Sequence, residues 1–437
     1  MRTSKPRYVR ALLGVAAIMT FITLATHGRA FAATESVLHS FTGAPGDGYG
    51  PHDLVKDGSG NLYGTTLSGG TNNRGSVFEM TPIGSGWFES IIWDFGGGTD
   101  GSQPQSQLIL DSAGNLYGTT VSGGRYNLGT VFELSFNGST WSETVLWDFG
   151  NVTGDGSGPL RGVTIDPSGN LYGTTSAGGA SGKGTVFELS PVGGGLWNET
   201  ILLSFAGVSD GAAPRGGVLR DPAGNLFGTA QQGGTYNSGT AFELSPPAVG
   251  GNPWTEKVLW AFGSGTDGRG PGAELISDSS GNLYGTTWDG GTYDCHCPNN
   301  FGGTIFKLTP PASPSVKWTE AVIWSLGGSS STGSGKNKVT VVDGQLPWAS
   351  SLLLGSSGNL YGTAMKGGAH GYGIAFKLTP PSAGSTWTET ILWAFSGGLD
   401  GKSPQTGLTR IDTSSALYGS TNNGGSNQDG TVFKITP

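Results

Sequence analysis

Short apolar phrases recur along the chain between clusters of Gly, Pro, Asn, Asp and Ser, and beyond the N-terminal segment none holds a 3.6-residue period for long. The pattern predicts β-strands joined by tight turns. One phrase, first met as Gly60-Asn61-Leu62-Tyr63-Gly64-Thr65, occurs seven times, centred on Tyr63, Tyr117, Tyr172, Phe227, Tyr284, Tyr361 and Tyr418, at spacings of 54, 55, 55, 57, 77 and 57 residues. A second phrase, G-T-V-F-E-L, follows each copy, with its Phe at 78, 132, 187, 242, 306, 376 and 433. A third, W-x-E-x-V-L-W-x-F, is typified by Trp141-Ser142-Glu143-Thr144-Val145-Leu146-Trp147-Asp148-Phe149 and holds eleven of the thirteen tryptophans, which reads as core. Val145, Trp147 and Phe149 fall on one face of that strand, so it is expected to pack against a neighbouring sheet. A fourth strand, as in Gly162-Val163-Thr164-Ile165-Asp166, enters each G-N-L-Y-G through a turn that Asp starts by bonding its own backbone and Gly completes with positive φ.

Four strands per unit of roughly 55 residues, seven times over, predict an all-β, seven-bladed β-propeller spanning residues 33–437 as one domain. Ring closure is also predicted. The third phrase follows only six copies of the second, because the chain ends at Thr431-Val432-Phe433-Lys434-Ile435-Thr436-Pro437; its seventh copy stands at the other end as Glu35-Ser36-Val37-Leu38-His39-Ser40-Phe41. The N-terminal strand is therefore expected to complete the last blade and remove its free edge. The wide spacing before blade six marks an insertion at about 327–344, where Gly327-Gly328-Ser329-Ser330-Ser331 and Gly333-Ser334-Gly335 read as flexible linker.

Residues 1–32 stand apart. Arg2, Lys5, Arg7 and Arg10 precede an apolar run from Ala11 to Ala25, and Ala30-Phe31-Ala32 has the small-x-small form of a cleavage site, so the segment reads as a secretory signal peptide. The run is short for a membrane span and no later stretch is long enough, so an exported monomer without a membrane span is expected: secreted, periplasmic or at the cell surface. Removing the segment takes away Arg2, Lys5, Arg7, Arg10 and Arg29 and no acid, which moves the formal charge from −8 to −13 and argues against nucleic acid as a partner. Gly supplies 81 residues, which at fixed places in the repeat read as turn positions rather than low complexity. Cys295 and Cys297 are the two cysteines, so the fold must rest on packing; with His296 between them and no second cluster, they read as a local disulfide or two free thiols rather than a zinc centre.

The pattern D-G-x-x-P, D-x-x-G-N-L-Y-G-T-T, G-G, G-T-V-F-E-L-x-P and W-x-E-x-V-L-W-x-F resembles the GloVer-type tandem-repeat family of exported bacterial β-propeller-like proteins, also called choice-of-anchor repeat proteins. The resemblance covers about residues 35–437 and implies export and repeat architecture; it carries over no catalytic residues. The family's C-terminal anchoring segment has no counterpart here, so release is expected rather than surface attachment.

Two sets of residues could carry chemistry. Asp47, Asp100, Asp155, Asp210, Asp267, Asp343 and Asp400 form a ring of D-G-x-x-P motifs, which would suit calcium but, because the motif repeats with the fold, reads first as turn chemistry; no other cofactor is expected. More telling are the side chains that differ between blades, since the repeated ones build the fold. Just after the Pro lie His52, Asp53, Arg161, Arg215, Glu274 and Trp348, and beside the loops after T-T-x-x-G-G lie Trp288, Tyr236 and Tyr372, together with Tyr126, Tyr293 and His370. All are expected to converge on one mouth of the channel. They suit a non-catalytic binding or interaction scaffold that holds an extracellular glycan or protein through aromatic platforms and orienting charges. The alternative is a propeller-type hydrolase or lyase with an acid-base set such as His52, Asp53 and Glu274, or a calcium site, at the channel mouth. No nucleophile elbow, phosphate loop or H-E-x-x-H pattern occurs.

Overall fold

The structure is a computed structural model that describes residues 33–437 apart from 44, 97, 249–252, 294–301, 314–315, 333–338, 348–350, 385 and 412–413. The expected signal peptide, the Cys295–Cys297 segment and Trp348 lie outside the described residues. All described secondary structure is strand and turn, arranged as a seven-bladed propeller. Blade two shows the plan: Ile109–Leu110 is innermost, followed outward by Leu116–Thr120, Thr130–Phe136 and Trp141–Asp148, all antiparallel.

Each phrase of the repeat has a distinct packing task. The Gly of G-N-L-Y-G passes under the ring of the Phe one strand out: a Cβ on Gly118 would come within 2.7 Å of Phe132, and Gly64 meets Phe78 in the same way. The first Trp of the outermost strand crosses to the preceding blade and packs edge-on against its Tyr, as Trp141 does on Tyr63. The first Thr of T-T donates from its hydroxyl to a carbonyl on the innermost strand of the next blade: Thr65 to Ser106, Thr119 to Arg161, Thr174 to Gly216, Thr229 to Ala273, Thr286 to Pro347 and Thr363 to Thr406.

The same contacts close the ring. Thr34–Ser40 pairs antiparallel with Thr431–Thr436, with the register shift between Val37 and His39 that each other outermost strand shows at the matching place. Ser420, in the position of the first Thr, donates to the carbonyl of His52, and Trp87 packs on Tyr418. One apolar cluster runs from Phe41, Phe78 and Met80 to Tyr418 and Val432, so the seam has a core like that of any other blade interface.

Where it is described, the insertion departs from the flexible linker that its Gly and Ser suggest; Gly333-Ser334-Gly335 lie outside the described residues. Ser329–Thr332 pairs with Val339–Gln345, which pairs onward with Lys366–Gly368. The β-branched run Val339-Thr340-Val341-Val342 supplies strand propensity, so the described part of the segment adds paired strands to blade six.

A second recurrent device concerns acid. The Asp of each D-G motif accepts backbone N–H groups from the connection that precedes it, as Asp100 does from Gly96 and Asp267 from Gly263. This is the turn chemistry expected of it. Beside it lies the Glu of the next outermost strand, in the pairs Glu35 with Asp400, Glu143 with Asp100, Glu199 with Asp155, Glu256 with Asp210 and Glu320 with Asp267. Burial, reinforced by that carboxylate, pushes Glu35, Glu143, Glu256 and Glu320 up to about 7 and Glu199 to about 9. Burial also works against ionisation of Asp111, Asp166 and Asp278, but the hydrogen bonds each receives outweigh it and hold those carboxyls below their usual range.

The sign follows from linkage. A Glu raised in the folded state adds stability that is complete below about pH 4.5 and lost as pH climbs through the folded value, whereas the depressed Asp groups lose theirs only in stronger acid. Melting temperature is therefore expected to peak in mild acid and fall from about pH 5 to pH 8. Glu143→Gln and Glu256→Gln should flatten that fall in melts taken across the range; a melting temperature that rises toward pH 8 would contradict the account.

Candidate functional site

The innermost strand of each blade enters the channel on the face of the second-to-third strand loops and leaves on the face of the D-x-x-G-N turns. In blade three, Gly156–Ser157 pairs with Ala177–Gly178 at the first face and Thr164–Ile165 pairs with Leu171 and Tyr172 near the second. The residues between these two pairings are unpaired in the sheet and turn toward the axis. Arg161 lies there in blade three, His52 and Asp53 in blade one, and Glu274 in blade five.

These side chains meet inside the ring. Arg161 Nη1 lies 2.7 Å from Asp53 Oδ2, and both side chains are almost wholly buried. The other oxygen of Asp53 accepts the N–H of Gly407, so one carboxylate ties blades one, three and seven across the axis. Beside the pair is a cavity of about 140 Å³ lined by five successive blades, with Gln107, Arg161, Gly217, Glu274 and Ser351 among its walls. It has room for a few water molecules or one small polar group. Glu274 is set deep in the ring but shows part of its surface to the cavity. Burial pushes its carboxyl up to about 7; Arg161 pulls it down and Asp53 pushes it up. His52 is held neutral by burial and by the Arg161 charge, which bring it down to about 3.

The expected convergence on one mouth is thus divided. His52, Asp53, Arg161 and Glu274 come together, but in the interior of the channel. Arg215 is half-buried in blade four, where burial lowers its guanidinium from the ordinary value. Trp288 flanks Gly270 of an innermost strand together with Gln231 of the preceding blade, and so sits half-buried on the rim of the first face. Tyr236 and Tyr372 stand outside the channel on that face, 52% and 46% exposed, with Tyr126 at 41% and Tyr293 at 48% in matching loops of other blades.

Two of these tyrosines lay their rings by the glycine that follows their own blade's outermost strand, Tyr293 by Gly328 and Tyr372 by Gly397, whereas Gly150 and Gly263 lie closest to Leu128 and Ser238, with Tyr126 and Tyr236 approaching near their Cβ atoms. A Cβ at Gly397 would come within 2.7 Å of the Tyr372 ring, so the glycine gives the aromatic a flat seat. Arg74, Lys183 and Asp429 take that seat in blades one, three and seven. The result is a crown of loop side chains on one face, aromatic in blades two, four, five and six and charged in blades one, three and seven. The sequence places the tyrosines among the loop residues that differ between blades; their packing is hidden there because the glycine lies more than twenty residues away.

Gln107 and Ser351 were not singled out in the sequence. They occupy the register of Asp53 and Glu274, the residue just before the buried aliphatic of the innermost strand, here Leu108 and Leu352. Counting back from that aliphatic, rather than forward from the Pro, would have found them.

The ring, its axial cluster and its one-sided crown define a closed repeat propeller with ligand-sized features at the axis and on one face. The sequence profile of the Gloeobacter/Verrucomicrobia repeat matches residues 20–197 and 197–334, and the chain belongs to that repeat family. No functionally curated protein matches it. Among solved structures, a protein assigned as a 6-phosphogluconolactonase from Bacteroides uniformis is similar over 84% of this chain and 87% of its own, at 12% identity and a TM-score of 0.46. A protein assigned as an oxidoreductase (glucose dehydrogenase) from Thermus thermophilus is similar over 78% of this chain and 97% of its own, at 15% identity and a TM-score of 0.41.

Proposed function

We propose that this is an exported, non-catalytic binding propeller whose crown face holds an extended extracellular glycan. The observation that carries the reading is the set of four half-exposed tyrosines on the same face of blades two, four, five and six, two of which, Tyr293 and Tyr372, hold their rings against a backbone glycine. A ring held against a glycine, as Tyr372 is by Gly397, loses little conformational freedom when a sugar stacks on it, and its hydroxyl adds a polar group at the edge. Arg74, Lys183 and Asp429 between them would orient charged or hydroxyl-bearing substituents.

The axial cluster supports a second reading, acid-base chemistry on a small group in the cavity, because Glu274 titrates near neutrality beside Arg161. One set of variants separates the two. Tyr126→Ala/Tyr236→Ala/Tyr372→Ala should weaken glycan-array binding at least tenfold with little change in melting temperature, while Glu274→Gln leaves binding intact. Unchanged binding by the triple variant would overturn the crown; a hydrolytic or eliminative activity lost in Glu274→Gln would replace it with the enzyme. Binding to proteins but to no glycan would move the same face to a protein partner.

A further inference from the structure

The seam where the chain's ends meet differs from the other six blade interfaces in one chemical respect. In blades one to six the strand position just before the register shift holds Trp93, Trp147, Leu203, Trp260, Trp324 or Trp393. Two of the indole N–H groups donate to the Asp of the next connection, Trp260 to Asp267 and Trp393 to Asp400, each at 3.2 Å, while those of Trp93 and Trp147 are buried without a hydrogen bond. At the seam this position is His39, and its neighbours are Asp47 and Glu89.

One ligand atom from each of the three lies within 4.8 Å of the others. His39 Nε2 and Asp47 Oδ1 are 3.7 Å apart, too far for a hydrogen bond. They are close to the separation of about 3.3 Å that two ligands take on a tetrahedral ion with bonds of ~2.0–2.1 Å. His39 Nε2 and Glu89 Oε1 are both shielded from solvent and make no hydrogen bond; the matching Glu oxygen is bare in other blades too, as at Glu143 and Glu256, so the imidazole is what sets the seam apart. The surroundings fix the set. The imidazole stands edge-on to Phe41 at 4.6 Å, and Asp47 is held by N–H groups of Thr42 and Gly48 and by the Thr42 hydroxyl.

We propose that His39, Asp47 and Glu89 bind one divalent transition ion of the zinc type, which clasps the N-terminal strand to blade one and locks the ring at its seam. One imidazole and two carboxylates are the donors such an ion takes, with water completing the shell. Since the three ligands come together only when the N-terminal strand is docked beside blade one, the ion would stabilise that docked state by mass action.

The test is titration of the metal-stripped chain with Zn2+, and with Co2+ for its absorption spectrum, comparing the parent with His39→Trp and with Cys295→Ser/Cys297→Ser. The first variant restores the residue of the other blades and should fold. The second removes the thiols that could bind metal elsewhere. The expected result is one equivalent of ion per chain, a chelator-reversible rise in melting temperature and slower amide exchange in Thr34–Ser40, all kept by the cysteine variant and lost in His39→Trp. No binding by the parent, binding retained in His39→Trp, or binding lost with the cysteines would each overturn the site. None of these outcomes depends on the crown.

Discussion

Arg161→Met is expected to destabilise the ring by about 3–5 kcal/mol, the cost of leaving a buried carboxylate without its partner. Asp53 cannot turn to water, since its side chain is about 5% exposed and its second oxygen is committed to Gly407. Arg161 also pulls the Glu274 carboxyl down against burial, so its removal favours the protonated form of that group as well. A loss of this size should lower the melting temperature by roughly 4–6 degrees, at about one degree per kcal/mol for a domain this large. Asp53→Asn/Arg161→Met, which removes both charges of the pair, should recover most of it. A single variant that melts with the parent would show that water reaches Asp53 and that the pair is not an axial tie.

Deleting residues 34–42 should do more. The deletion takes away the outermost strand of blade seven together with Phe41, which is fully buried against Phe78, and large aromatic deletions of this kind alone cost about 3–5 kcal/mol. It also leaves Thr431–Thr436 with an unpaired edge. An open edge is a template for pairing with another chain, so the truncated protein is expected to aggregate as well as to melt earlier. A truncated chain that stays monomeric and melts like the parent would show that the seam is not closed by that strand.

Much of the ring was legible in the residues because its signals are local and repeated. The turn chemistry of Asp111 to Asn115, the strand phrases around Tyr117 and Phe132, and the displaced seventh copy at Glu35–Phe41 each sit within a few residues of one another, and seven repetitions turn a weak pattern into a strong one. The strands of the insertion before blade six were less legible for the same reason: they occur once, so Gly and Ser composition had no repeat to correct it.

The sequence by itself determined the blade, the number of blades and the closure, because each depends on periodic positions whose neighbours in space are set by the repeat. Only the tertiary structure decided what the blade-specific residues do. Asp53 and Arg161 are 108 residues apart and on non-adjacent blades, and they meet because the ring curves the innermost strands toward one axis. His39 and Glu89 meet across a seam that joins the two ends of the chain, and Tyr372 finds its seat on Gly397 through the fold of a whole blade. Such contacts depend on closure and curvature, and neither is written in the spacing of any one phrase.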